Sequence, residues 1–232
     1  MRRPNIVGDN KPTEIKYKKE KIERVQKNGI IETTYKDTNI PILGHQGGKK
    51  LKSRVLFPEE VLAIIKVLED MGKSAKDDLT NFKMCLLLGA RYEESKWIQL
   101  HSECYDKESR NIIYETKKVK VEYKKRKIRL SNLAMNEIGH FFTVDKYLPT
   151  QNGWDKKLKY YARLAGITDE GVSSRMMRKT YESWLMFYFP ERKYEILQSQ
   201  GHKEITAFEH YLKTDFIEKD RQLMKEFVEG WI

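Results

Sequence analysis

In the stretch from Gly201 to Leu212, "GHKEITAFEHYL", a tyrosine follows a histidine by nine residues. A phenol has an ordinary pKa near ~10, so Tyr211 is a poor nucleophile at neutral pH unless cations favour its phenolate. The chain can supply such cations. In "SSRMMRKTYESWLMFYF", helical spacing puts Met177, Tyr181, Trp184, Leu185 and Tyr188 on one core face, with Arg175 and Arg178 side by side along its edge. Two guanidiniums held this way can fork onto the oxygens of one phosphate. In "LLLGARYEESKWIQL", Arg91 follows a buried apolar run and a glycine. A buried arginine is costly unless paired, and Glu94, three residues on, can pin it.

Each feature also has an ordinary structural explanation. Arg175 and Arg178 can be surface cations, and Arg91–Glu94 a helix ion pair without a ligand. His202 can cap a helix beside Gly201, and Tyr211 can be a core aromatic in line with Ile205, Phe208 and Leu212.

A fourth basic element lies between them. From Lys117 to Arg129 eight of thirteen residues are basic, with Glu122 the only acid. Protecting a strand edge rarely needs so many charges, whereas a polyanion would neutralise them. The whole chain of 232 residues carries a formal charge of +11. Residues 1–52 supply +7 of it, from 13 Lys/Arg against 6 Asp/Glu. The balance favours nucleic acid as partner, though lysine-rich surfaces also serve solubility.

These side chains must be positioned by folded elements. "KIERVQKNGIIETTYKD" places Asn28-Gly29 between two strand-like segments, a strong hairpin signal, and "GHQGGKKLKS" reads as a flexible basic linker. The expected organisation is a basic arm over 1–52 and a second unit over 53–232. In that unit "FPEEVLAIIKVLEDMG" has Pro58 in a first helical turn and Gly72 after the last periodic residue, which predicts a helix. "DDLTNFKMCLLLGARYEESKWIQL" predicts a mostly buried helix that breaks at Gly89 and resumes. "NIIYETKKVKVEYKKRKIRLS" changes period and predicts a hairpin or small sheet. Helical pattern fills most of the remainder, with breaks expected near Gly153, Gly166, Pro190 and Gly201. The fold class is mainly α with a small antiparallel β-sheet.

Other classes are disfavoured. Cys85 and Cys104, the only cysteines, make neither a disulfide framework nor a zinc site. The five histidines are scattered, and there is no acidic cluster at ligand spacing. No apolar run is long enough to span a bilayer, and the N-terminus lacks a secretory h-region. The natural expectation is a reducing, cytoplasmic setting.

Arg91 in "GARYEES", Arg178 in "RMMRKTYESW", Gly201-His202 and Tyr211 follow the order and approximate spacing of the tyrosine recombinases, or phage integrases. The resemblance covers roughly residues 55–225, the catalytic domain of that family. "RKTYESWL" and "GHKEITAFEHYL" look most like integrases of archaeal viruses and plasmids. The resemblance implies that Arg91 and Arg178 grip the scissile phosphate and His202 hydrogen-bonds it. Tyr211 then attacks, leaving a 3′-phosphotyrosyl link and a free 5′-hydroxyl. The family's proton-donating lysine comes from the hairpin, and Lys118 is chosen here, with Lys117 and Lys120 as rivals. One position departs: most members carry His where this chain has Arg175, which adds positive charge at the phosphate.

Such exchange requires a nucleophile, a proton donor and positive charge around a pentavalent transition state, and needs no metal or cofactor. The expected partner is double-stranded DNA, with self-association on it from dimer to tetramer and possible DNA-bending accessory proteins. Two rival readings share the fold. One is a catalytically inactive DNA-binding factor, which Arg175 favours; the other is a relaxing enzyme of the type IB topoisomerase kind. If residues 202–211 formed one unbroken helix, His202 and Tyr211 would lie about 13 Å apart on opposite faces. Delivery of the tyrosine within the chain or from a neighbouring subunit is open at this level. So is the destination of the amphipathic tail "DFIEKDRQLMKEFVEGWI", an adjacent protomer or its own domain.

Overall fold

The computed structural model describes residues 17–25, 31–41, 54–117, 123–201 and 215–231, with side chains from 54 to 115, 125 to 201 and 215 to 231. The chain divides into two units, Met1–Lys50 and Leu51–Ile232. In the first, β1 (Tyr17–Val25) pairs antiparallel with β2 (Ile31–Pro41), and Val25 stands opposite Ile31. The Asn28-Gly29 turn and the linker from Gly44 to Ser53 lie outside the described residues.

The second unit is mainly helical with one small sheet, as the periodicity predicts. Helix α1 (Pro58–Asp70) opens on Pro58, and Glu60 Oε2 accepts the Phe57 N–H at 2.9 Å. Its apolar face, Val61, Ile64, Ile65 and Leu68, is buried. Helix α2 (Lys76–Leu88) is buried on almost every side through Phe82 and Met84–Leu88, the mark of a central helix. It ends at Gly89, whose φ of 54° is a left-handed cap that suits glycine. Helix α3 (Tyr92–Leu100) follows, with Arg91 as its extended N-cap residue.

The sheet has the order β3-β4-β5 and is antiparallel throughout: β3 (Tyr105–Asp106), β4 (Asn111–Lys117) and β5 (Tyr123–Arg129). Alternation sorts its faces. Ile112, Tyr114, Arg126 and Ile128 are buried, whereas Ile113, Glu115, Lys125 and Lys127 are exposed. Ile112 pairs with Ile128 and Tyr114 with Arg126.

Four further helices complete the core: α4 (Asn132–Phe142) and α6 (Ser174–Tyr188) pack on α2, while α5 (Gln151–Leu164) packs on α1 and α6, and α7 (Lys193–Gln200) on α6 and β5. Gly153, expected as a break, instead sits in the first turn of α5. Thr150 caps that helix, its Oγ1 accepting the Gly153 N–H at 3.3 Å, and a glycine in a capped first turn costs little. Breaks do occur at Gly166, Pro190 and Gly201.

Helix α8 (Glu218–Val228) packs its Met224, Phe227 and Val228 into this core. Phe227 meets Trp184 edge-to-face at 5.3 Å, and Trp231 is buried just beyond. The tail therefore covers its own domain. Among the described residues no helix is long and apolar enough to cross a membrane.

Candidate active site

Arg178 is the anchor of the site. On α6 it is flanked by Met176, Met177, Thr180 and Tyr181, all buried, and it is itself only 7 % exposed. Its Nη1 donates to the Gly89 carbonyl at 3.0 Å, and its Nη2 donates to the Gln200 carbonyl. Both acceptors lie at helix ends that are closed in the same manner. Gly89 is the left-handed cap of α2, and Gly201, with φ 64°, is the left-handed cap of α7. Helix C-termini carry unsatisfied carbonyls and partial negative charge, so two of them aimed at one guanidinium stabilise it away from water. Burial, followed by the charge of Arg126, pulls the Arg178 pKa down. The carboxylates of Glu182 and Glu94 act in the opposite sense.

Arg91 stands at the start of α3, two residues past Gly89, with its side chain 55 % exposed. Glu94 holds it twice, accepting the Arg91 N–H at 2.8 Å on Oε2 and Nη1 at 2.8 Å on Oε1. The same Oε2 accepts from Nη1 of Arg126. Burial pushes the Glu94 carboxyl up, but Arg126 and Arg91 together outweigh it and hold the group below its usual range. Arg126 also donates Nε to the Ser199 carbonyl at 3.0 Å and lies 5.9 Å over the Tyr114 ring. A Cβ built on Gly201 would meet its Nε at 3.6 Å, so the guanidinium lies against that turn.

Residues 89–94, 126, 178 and 199–201 thus meet at one place, brought together from α2, α3, β5, α6 and α7. The lining includes Gln200, which is 1 % exposed and whose Oε1 and Nε2 have no hydrogen-bond partner among the described residues. The arrangement offers guanidinium N–H groups held by main-chain carbonyls and by the Glu94 carboxylate, chemistry suited to an anionic oxygen ligand.

The sequence-predicted residues fare unequally. Arg91 and Arg178 converge on the Gly89 turn, and the Arg91–Glu94 pairing is present. Arg175 and Arg178 do not lie side by side on an edge: Arg178 turns inward while Arg175, in the first turn of α6, is exposed. The difference comes from the carbonyls that draw Arg178 in. Lys117 ends β4 opposite Tyr123. Lys118, Lys120, His202 and Tyr211 lie outside the described residues, as do Ile205, Phe208 and Leu212.

Arg126 was not singled out from the sequence, being one of eight basic residues in its ribbon. A signal was present. Arg126, Ile128 and Leu130 alternate with Lys125, Lys127 and Arg129, so the strand period assigns Arg126 to the apolar face. Arginine in an inward register is expensive without partners, which marks it out among the lysines.

No family model matches the chain, and neither does any curated protein. Solved structures do. The chain is similar to the XerA recombinase, at 15 % identity over 81 % of this chain and 68 % of that one, with a TM-score of 0.53. The XerH site-specific recombinase bound to palindromic difH substrate, in a post-cleavage complex, gives 17 % identity, coverage of 88 % and 61 %, and a TM-score of 0.51. The Tn1549 transposon integrase in complex with transposon right end DNA gives 17 %, 79 %, 68 % and 0.51.

The fold is that of tyrosine recombinase catalytic domains.

This chain spans between 61 % and 68 % of the length of those three proteins. At such identities the likeness is one of fold, and the chemistry of this chain rests on its own residues.

Proposed function

We propose that the chain is a site-specific DNA recombinase or integrase that cleaves and rejoins DNA through a 3′-phosphotyrosyl intermediate on Tyr211. The observation that carries this reading is the bond pattern of Arg178. It ties the turn leading into Arg91 to the turn leading into His202, on a fold shared with DNA-bound recombinases. In this reading Arg91 and Arg178 take the non-bridging oxygens of the scissile phosphate, and the exposed Arg175 adds charge. His202 hydrogen-bonds the phosphate, and Lys118 of the hairpin protonates the leaving 5′-oxygen. As the tyrosine attacks, charge grows on the phosphorus oxygens, and Arg178, held in place by two main-chain carbonyls, needs little reorganisation to meet it.

Double-stranded DNA as partner is supported by a second surface. Along α5, Asn152, Lys156, Lys159, Tyr160 and Arg163 recur at helical spacing, and all five are exposed. The opposite face, Trp154, Leu158 and Tyr161, is buried, so this helix presents a basic stripe to solvent. The proposed organisation is a basic arm over 1–52 followed in the chain by a catalytic domain over 53–232. Assembly on DNA as dimer to tetramer in the cytoplasm belongs to the same proposal.

The test is a DNA substrate nicked beside the cut site, which traps the covalent intermediate. The unaltered protein forms an SDS-resistant adduct and Tyr211→Phe does not. An adduct that survives in Tyr211→Phe moves the nucleophile elsewhere, and no adduct with any duplex supports a binding factor without catalysis. Joining of two distinct sites, rather than relaxation of any supercoil, distinguishes a recombinase from a relaxing enzyme.

A further inference from the structure

Glu94 stands between two cations of unequal exposure. Arg91 reaches it from the surface with a side chain 55 % exposed, and Arg126 from the interior with one 6 % exposed. Both bear on the same carboxylate, and Oε2 alone accepts from the Arg91 main chain and from Arg126 Nη1. A carboxylate with one cationic partner holds that partner firmly in a poorly hydrated site. With two, its charge is divided, and the more exposed partner is the easier to draw away.

The interior cation has further attachments. Arg126 Nε donates to the Ser199 carbonyl at 3.0 Å, next to the Gln200 carbonyl that Arg178 holds. Its Nη2 is buried and has no hydrogen-bond partner among the described residues. One guanidinium thereby fixes the N-terminus of α3, the inner face of β5 and the C-terminus of α7 relative to each other. Those elements lead directly to Arg91, to the lysine hairpin and to Gly201–His202.

We infer that Arg126 is a positioning residue. It takes up the charge of Glu94 so that Arg91 stays available to an anionic oxygen, and it holds the α7 turn beside it. Without Arg126, Glu94 is left to Arg91 alone and keeps that guanidinium in an ion pair at the rim. The inference rests on the functional reading above, since it presumes that Arg91 meets a phosphate.

A double-mutant cycle on the rate of adduct formation with the nicked substrate tests it. DNA affinity and thermal melting are followed in parallel. Arg126→Gln is expected to slow adduct formation about 10–100-fold, as misplacement of a charge-stabilising group does. DNA affinity changes little. In an Arg91→Lys background the same substitution costs less than about 3-fold, because residues acting through one another are not additive. Arg126→Lys, which keeps a cation on Glu94, restores part of the rate, and it takes the place of Arg126→Gln in the cycle if that variant does not fold. An equal loss in both backgrounds, or a loss that follows melting temperature, overturns the inference and leaves the recombinase reading intact. Failure of the unaltered protein to form any adduct sinks both together.

Discussion

Arg178 donates to the carbonyl of Gly89 across 89 positions of sequence, at 3.0 Å, in the buried centre of the domain. The bond joins α6 to the end of α2, two residues before Arg91. Its companion bond to the Gln200 carbonyl does the same for the end of α7. A single side chain therefore sets the separation of two helix ends, and the proposed chemistry lies at both.

Arg178→Ala should cost stability as well as activity. It leaves two buried carbonyls without their donor, and a buried acceptor left unsatisfied costs about 1–3 kcal/mol. Arg178→Lys keeps the charge but cannot bond both carbonyls with a planar fork. It should stay folded yet lose adduct formation. Urea denaturation beside the trapped-intermediate assay separates the two, and an active Arg178→Lys would contradict the role given to the fork.

Gln200 provides an opposite case. Its carboxamide is buried, and among the described residues neither polar atom has a partner; an unsatisfied buried group costs about 1–3 kcal/mol. Gln200→Leu, of similar volume, should raise the urea midpoint at unchanged slope. Gly89→Ala should lower it, since φ is 54° and a Cβ would stand 2.6 Å from Gln200 Nε2. A lower midpoint for Gln200→Leu would show that the amide has a partner after all.

Glu94 sets an acid limb. Its folded pKa is depressed below the ordinary 4.5, so it binds a proton less readily folded than unfolded. Its stabilisation is complete above that ordinary value and is lost as pH falls through the depressed one. Urea unfolding followed from about pH 6 to pH 3 should show Glu94→Gln less stable than the unaltered protein at the upper end, with the two converging at the lower. A gap that stays constant with pH would exclude this ionisation as its source.

The stripe on α5 predicts salt dependence. Lys156→Ala and Lys159→Ala should each weaken duplex binding across all sequences and reduce the slope of log affinity against log salt by about 1. Fluorescence anisotropy over a salt series measures it, and slopes unchanged in both variants would remove α5 from the interface.

How much of this was readable in advance depends on the range of the force involved. Helices α1 and α6 follow from a 3.6-residue apolar period, the buried α2 from its long apolar run, and β4–β5 from alternation, because these patterns report local burial. Gly89 and Gly201 were legible as stops, since a left-handed cap is a local demand for glycine. Gly153 was misread because the Thr150 cap made it the beginning of a helix and not an interruption.

The sequence by itself determined the elements, the basic excess and the order of the chemically able residues. Only the tertiary structure decided which arginines turn inward. Arg175 and Arg178 are three residues apart on one helix, yet only Arg178 finds the carbonyls of Gly89 and Gln200. Arg126 is one cation among eight until Glu94 and Ser199 reach it from other elements. Burying a guanidinium depends on acceptors supplied from far along the chain, and no local pattern of residues encodes where those acceptors will be.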